Sequence, residues 1–166
     1  MPSLRRAEEL YPAPQLTDTE WSYFAGILDG EGTIRVVRGN DSVRRHAGWS
    51  TRYAGAISIV NTSEPLIRWI QERFGGTPHL IKAHGPLSKL PIWDWKIQGR
   101  RTVTILKSVL PYLVIKRSRA SLVIRLYSEG SWGHGGSRLR TCTSAAEMAR
   151  RDALYQESRA RRTEGK

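Results

Sequence analysis

Apolar residues recur at three- and four-residue intervals near the start of the chain, which is the spacing of an amphipathic helix. The apolar positions are Trp21, Phe24, Ala25 and Leu28. Thr17 and Glu20 lie just before this stripe and have the residue types and the spacing of a capping box. The pattern stops at a glycine-rich stretch, so we predict a helix from Thr17 to Asp29 or Gly30.

The following segments alternate apolar with polar side chains, which is the two-residue period of a half-buried strand. We predict strands over residues 33–38 and 53–60, joined by a long basic link over residues 39–52. Pro65 suits a helix start and Gly75-Gly76 a helix end, which together predict a second helix over residues 64–74. The remaining elements are strands at 78–83 and 92–98 and helices at 102–110, 116–129 and 144–162.

The resulting order of elements is αββαββα, followed by C-terminal helices. This order is typical of an α+β fold in which helices pack on one antiparallel sheet. We divide the chain into an N-terminal tail (1–16), a core (17–129), and a glycine-rich connector with a basic C-terminal helix (130–166). We expect that last helix to be solvated and to add nonspecific affinity for phosphate.

Charge narrows the choice of partner. The chain has 27 Lys and Arg against 15 Asp and Glu, a formal net charge of +12, which indicates a polyanionic partner. No stretch approaches the roughly 18 apolar residues of a membrane span, and residues 1–11 lack the apolar run of a secretion signal. We therefore expect an intracellular protein that binds nucleic acid and no membrane. Cys142 is the single cysteine, which excludes a zinc site built on several cysteines.

Basic residues occupy strand positions predicted to be exposed and the links beside them. They would give positive charge to the face of the sheet that the helices leave open, so we predict that face as the DNA surface. The candidate DNA-binding residues are Arg35, Arg38, Arg44, Arg45, Arg52, Lys82 and Lys96.

The first predicted helix carries a stripe of small residues and ends in two acids. Ser22, Gly26 and Gly30 are four residues apart, so they share one face, where a second helix can approach closely. Asp29 and Glu31 stand at the negative end of the helix dipole, where a positive group should compensate them. Two such helices side by side would bring two Glu31 carboxylates into one oxygen-rich pocket. Such a pocket suits Mg²⁺, and paired metal ions can promote phosphodiester hydrolysis.

Other interpretations of this segment differ in how well they fit. An EF-hand loop that begins at Asp29 would need glycine in place of Ile34, and a dinucleotide-binding loop that begins at Gly30 would need glycine in place of Arg35. An ordinary core helix that ends in a glycine cap remains the simplest alternative.

The segment Phe24–Gly32, FAGILDGEG, resembles the LAGLIDADG motif of homing endonucleases. One copy is visible, and the resemblance implies a homodimer that binds double-stranded DNA at a near-palindromic site through a saddle-shaped antiparallel sheet. It also implies that Glu31 and the Gly30 carbonyl hold Mg²⁺ or Mn²⁺, while Ca²⁺ binds without supporting cleavage. The motif usually has Asp where Glu31 stands, and this longer side chain leaves the catalytic efficiency open.

The segment Leu110–Ala120, LPYLVIKRSRA, resembles the part of the family in which a Pro-aromatic-Leu turn precedes a helix with an active-site basic residue. By this resemblance Lys116 positions water or stabilises phosphate charge, with Arg117 or Arg119 as substitutes. Asn61, at the end of the second strand, resembles the polar residue that organises the water network. The alternative for Asn61 is a turn or helix-entry residue.

These observations predict a site-specific double-strand DNA endonuclease that hydrolyses phosphodiester bonds with a divalent metal. A relative that has lost cleavage, acting as an RNA maturase or a DNA-binding regulator, is the first alternative. The second is a structural RNA-binding protein with a chance motif, which would not need the stripe of small residues.

Overall fold

The protein consists of a four-stranded antiparallel sheet with helices packed on one side. The structure is a computed structural model that describes residues 8–39, 51–81, 91–129 and 144–161. The strands are β1 (Gly32–Arg38), β2 (Tyr53–Asn61), β3 (Thr77–Ile81) and β4 (Ile92–Gln98), and the helices are α1 (Asp18–Gly30), α2 (Glu64–Phe74), α3 (Arg101–Val109), α4 (Arg117–Ser128) and α5 (Ala145–Ala160). A short 3-10 turn, Leu110–Tyr112, follows α3. The spatial strand order is β1-β2-β4-β3. The predicted αββαββα order and α+β class are confirmed.

Helix α1 begins as the sequence predicts. The Thr17 hydroxyl accepts a hydrogen bond from the Glu20 amide at 3.3 Å, and the Glu20 carboxylate accepts one from the Thr17 amide at 3.0 Å. Glu20 also pairs with Arg73 of α2 at 2.9 Å. The hydrogen bond from the Thr17 amide, followed by that from Arg73, holds the pKa of Glu20 below its usual value. The Glu20–Arg73 pair and the stacking of Phe24 on Phe74, with ring centroids 3.9 Å apart, hold α1 against α2.

The core lies between the helices and the inner face of the sheet. Across β2 and β4, Ile57 pairs with Ile97 and Ile59 with Trp95, and all four side chains are buried. Burying a side chain of this size contributes roughly 1.5–3 kcal/mol. The Trp95 indole N–H donates to the Gly75 carbonyl at 2.7 Å, which satisfies the polar atom of a fully buried side chain.

The opposite face of the sheet, here called the free face, is turned away from the helices. Its residues follow from the two-residue alternation and the strand register. They are Thr33, Arg35 and Val37 on β1, Ala54, Ala56, Ser58 and Val60 on β2, Thr77, His79 and Ile81 on β3, and Ile92, Asp94, Lys96 and Gln98 on β4.

Helix α5 packs along the outer edge of β1. The Val36 amide donates to the Ser158 hydroxyl at 2.9 Å, and the Tyr53 hydroxyl donates to Asp152 at 2.7 Å. A side chain of α5 therefore takes up a backbone donor at the sheet edge, where an unpaired amide would invite association with other strands.

The expectation of a solvated C-terminal helix is wrong for the face of α5 that meets the core. Arg151 is 6% exposed and pairs with the buried Glu147 at 2.7 Å, and Leu154 belongs to the hydrophobic core. Positions 147, 151 and 154 share one helix face, so they turn inward together. Hydrogen bonds from Arg150 and then from Arg151 hold the pKa of Glu147 below its usual value.

The described part of the predicted N-terminal tail contacts the core. Glu8 pairs with Lys107 of α3, the Arg101 guanidinium lies 5.7 Å from the centre of the Tyr11 ring, and Leu16 packs against the core. Within the described ranges, no helix combines the length and the apolar character required to cross a membrane.

Candidate functional site

Glu31 and Asn61 meet at the carboxyl end of α1. Glu31 caps the helix, with its amide donating to the Ile27 carbonyl at 2.8 Å and its side chain exposed. The Asn61 side-chain amide donates to Glu31 Oε2, and Asn61 Oδ1 accepts from the Ser63 amide at 2.7 Å. The meeting follows from topology, because β1 begins directly after α1 and the antiparallel β2 returns to the same end of the sheet.

Lys116 provides the positive charge that the end of α1 requires. Its ammonium donates to the carbonyls of Leu28 at 2.6 Å and Asp29 at 2.8 Å, and the residue is only 9% exposed. The prediction of a cation at this helix end is confirmed. Burial lowers the pKa of Lys116, Arg119 lowers it further, and Asp29 opposes the shift. Two of the three ammonium hydrogens thus serve the helix end, while the predicted contact with phosphate stays a prediction.

Asp29 has a different role from its neighbour acid. Its carboxylate accepts from three consecutive backbone amides, those of Val114 at 2.8 Å, Ile115 at 3.2 Å and Lys116 at 2.9 Å. This bond set holds the loop before α4 against the end of α1 and so places the Lys116 side chain. The sequence places Asp29 only at the negative helix end, because nothing in a single sequence indicates that its carboxylate meets a loop 85 or more residues away.

The stripe of small residues lies on the surface of the chain. Ser22, Gly26 and Gly30 are exposed, and a Cβ added at either glycine would meet nothing within 4 Å. Gly32 behaves differently, since a Cβ there would lie 2.7 Å from Leu28 Cδ2 and 2.8 Å from Leu28 backbone atoms. Packing within this chain therefore requires a glycine at position 32 but not at 26 or 30.

A groove of about 550 Å³ runs over the free face. Arg35 and Lys96, both predicted to bind DNA, line it together with Ser58, Thr77 and Gln98. A second groove of about 720 Å³ lies beside the end of α1. It is lined by residues that include Gly30, Arg35, Lys116, Arg119, Ser158 and Arg159. Since Arg35 lines both grooves, the basic free face continues to the acidic end of α1.

The end of α1 offers oxygen donors to a metal. The Glu31 carboxylate and the Gly30 carbonyl are hard oxygen ligands of the kind that Mg²⁺ and Ca²⁺ take, so the donor types fit the predicted metal. Among residues 8–39, 51–81, 91–129 and 144–161, no group of three or more His, Cys, Asp or Glu side chains is arranged to hold a metal.

Comparison with solved structures decides the fold. The chain superposes on the homing endonuclease I-CvuI in complex with the I-CreI target and 2 mM Mg, whose DNA is not cleaved, with a TM-score of 0.65, 20% identity, and coverage of 89% of this chain and 84% of that one. It also matches the archaeal intron-encoded endonuclease I-Vdi141I complexed with DNA, with a TM-score of 0.65, 16% identity, and coverage of 90% and 87%. The chain has the LAGLIDADG homing endonuclease fold. No protein-family model and no curated protein matches the sequence.

The structure shows where four of the predicted DNA-binding residues lie. Arg35 and Lys96 lie on the free face, and Arg52 is exposed just before β2. The prediction that Arg38 shares the free face with Arg35 is wrong, because positions three apart on a strand point to opposite sides. The Arg38 guanidinium instead lies 3.9 Å from Asp152 of α5. Arg44, Arg45 and Lys82 lie outside the described residues.

Proposed function

We propose that the protein is a site-specific double-strand DNA endonuclease that acts as a homodimer and hydrolyses phosphodiester bonds with a divalent metal. The observation that carries this proposal is the exposed Glu31 carboxylate, paired with Asn61, at the end of a helix with an exposed stripe of small residues. The LAGLIDADG fold supports the same function, because the solved structures similar to this chain include homing endonucleases bound to DNA.

The homodimer is supported by the two glycines of the stripe. Gly26 and Gly30 have open space where a Cβ would be, so a second copy of α1 has room to approach closely at these positions. Two α1 helices in contact along the stripe would bring their Glu31 carboxylates to a shared position, and each chain would contribute one acid to the cleavage centre.

Glu31 and the Gly30 carbonyl would hold Mg²⁺ or Mn²⁺, with Ca²⁺ as a substitute that binds without cleavage. A metal held there would supply activation of a water and charge stabilisation at the leaving oxygen. Asn61 orients the Glu31 carboxylate through its amide, which the Ser63 amide holds in turn. Lys116 neutralises the helix end with two of its hydrogens, so the third is available to a water or a phosphate oxygen.

The free face would contact the DNA. Arg35 and Lys96 line its groove, and the net charge of +12 favours the phosphate backbone. Because Arg35 also lines the groove beside the end of α1, DNA bound on the free face would pass close to Glu31.

The alternative is a LAGLIDADG protein that binds DNA or RNA without cutting it. The observation that favours it is the glutamate at position 31, whose side chain is longer than the aspartate of the motif by about one C–C bond. If the metal site accommodates this extra length, the protein cuts DNA. If it does not, the protein only binds.

The experiment is digestion of a randomised double-stranded DNA library in parallel with Mg²⁺, with Ca²⁺ and with chelator, followed by sequencing of bound and cut molecules. We expect cut ends at one near-palindromic consensus with Mg²⁺ only, and the same consensus bound but uncut with Ca²⁺. A bound consensus that is never cut with Mg²⁺ or Mn²⁺ would support the alternative instead. Failure to recover any consensus would overturn the endonuclease and the alternative that binds DNA, and would leave only the alternative that binds RNA.

A further inference from the structure

The basic free face contains one buried acid. Asp94 is 6% exposed, although it lies on the face that the helices do not cover. Its Oδ2 pairs with the Lys96 ammonium, while its Oδ1 has no hydrogen-bond partner among the described residues. A buried carboxylate is unfavourable unless a charge compensates it, so Asp94 holds the Lys96 ammonium more firmly than an exposed acid would.

Lys96 is anchored at one side and open at the other. Positions 94 and 96 of β4 are two apart and share the free face. The neighbours of Lys96 across the strands are Ser58 on β2 and Thr77 on β3, both with short side chains. The Lys96 side chain is 49% exposed and lines the groove of the free face. The ammonium is therefore accessible from the groove while Asp94 fixes its position.

An anchored ammonium has the hydrogen-bonding pattern of a guanine reader. It carries three donors and no acceptor, and the bond to Asp94 leaves two donors. In the major groove guanine presents two adjacent acceptors, N7 and O6. Adenine presents one acceptor and one donor, thymine presents one acceptor and a methyl group, and cytosine presents a donor. An unanchored lysine is flexible and would instead contact phosphates, which carry no sequence information.

We propose that Lys96 reads a guanine in the major groove and that Asp94 is the positioning residue for this contact. The inference rests on the proposed function, because it requires DNA on the free face. In a homodimer the contact would occur twice, at symmetry-related positions of the target.

The test is selection of bound sequences from a randomised double-stranded DNA library in Ca²⁺, with wild type and three variants of the full chain. Asp94→Asn keeps the shape of the side chain and the charge of Lys96 but weakens the anchor, because it removes the negative charge that holds the ammonium. Lys96→Met alone would leave Asp94 buried without its cation and could unfold the protein, so it is combined with Asp94→Asn. Glu8→Gln combined with Lys107→Met, which removes an ion pair at α3 away from the sheet, is the matched control because it also leaves the net charge unchanged.

We expect the wild-type consensus to contain a guanine at one pair of symmetric positions, preferred about 5- to 100-fold over other bases. Asp94→Asn should weaken the preference at that pair alone and increase binding to unrelated DNA, since it removes a negative charge from the free face. The double variant of Asp94 and Lys96 should abolish the preference, and the control variant of Glu8 and Lys107 should retain it.

Failure of the guanine contact and failure of the proposed function give different results in this selection. A consensus that stays the same in Asp94→Asn and in the double variant overturns the guanine contact while leaving DNA recognition intact. A wild-type protein that recovers no consensus overturns the proposed function itself, and this inference with it. If Asp94→Asn melts below wild type, the selection is repeated with all proteins at a temperature where each of them is folded, and that comparison decides the result.

Discussion

Asp29 and Glu31 are two acids of one motif with opposite roles in the structure. Asp29 is half-buried, and three backbone amides of the loop before α4 donate to it. Glu31 is exposed, and the side chain that meets it is the polar Asn61. A carboxylate saturated with backbone donors stabilises the fold, whereas an exposed carboxylate at a helix end remains available to a ligand. The difference shows that a motif of like residues can combine a structural acid with a candidate catalytic one.

The largest effect is expected for Glu31→Gln. Loss of a metal ligand removes several kcal/mol of transition-state stabilisation, and each 1.36 kcal/mol is a factor of about ten in rate. Cleavage of the selected target should therefore fall at least about a thousandfold, while DNA affinity in Ca²⁺-free buffer and thermal melting stay near wild type. A variant that still cuts at the wild-type rate excludes Glu31 from the chemistry.

Gly26→Leu should separate the subunits without unfolding them. Overpacking costs about 1–3 kcal/mol per site, and in a symmetric dimer both copies carry it, which weakens association at least about thirtyfold. Sedimentation should show a monomer whose circular dichroism matches wild type, because position 26 has open space within the chain. Persistence of a dimer at the wild-type concentration range would argue against the α1–α1 interface.

Asp29→Asn makes the same chemical change as Glu31→Gln two residues away, and its effect should be on stability. A hydrogen bond to a charged group is worth about 1.5–3 kcal/mol, and the amide cannot replace the charge that serves three donors. We expect the free energy of unfolding in urea to fall by about that amount, with any loss of cleavage following from displacement of the loop. Equal stability of Asp29→Asn and wild type would contradict the structural role.

The smallest effect concerns Glu20, the acid at the opposite end of α1. Its pKa in the folded protein is below the usual value of 4.5, so its contribution to stability is present above pH 4.5 and is lost as pH falls through the lowered folded pKa. The unfolding free energy of wild type should decline over that acidic range more steeply than that of Glu20→Gln. Parallel curves for the two proteins would remove Glu20 from the acid-sensitive contacts.

The hydrophobic pattern was sufficient for the elements of the fold. The capping box at Thr17, the glycine stop after Phe74 and the alternation along β1 and β2 are local features, so residues close in sequence define them. Misjudgements arose where a side chain meets a distant element. Arg151 is buried because its face of α5 packs against β1 and α4, which are distant from it in sequence.

The sequence predicted which residues form the candidate site better than it predicted the contacts between them. Glu31 and the need for a cation followed from the helix end, while Asn61 and Lys116 came from the family resemblance. The contact between Asn61 and Glu31 depends on how β1 pairs with β2, which no local pattern contains. The distribution of the Lys116 hydrogens over the Leu28 and Asp29 carbonyls depends likewise on a loop 85 or more residues away from the helix.

The most direct measurement of the central claim is calorimetric titration of Ca²⁺ into the complex of the protein with its selected, uncleaved DNA target. The account predicts that wild type and Asp29→Asn, studied at a temperature where both are folded, bind Ca²⁺, and that Glu31→Gln shows no binding heat beyond that of free DNA. Wild-type Ca²⁺ binding by the Glu31→Gln complex would contradict the assignment of Glu31 as the metal ligand.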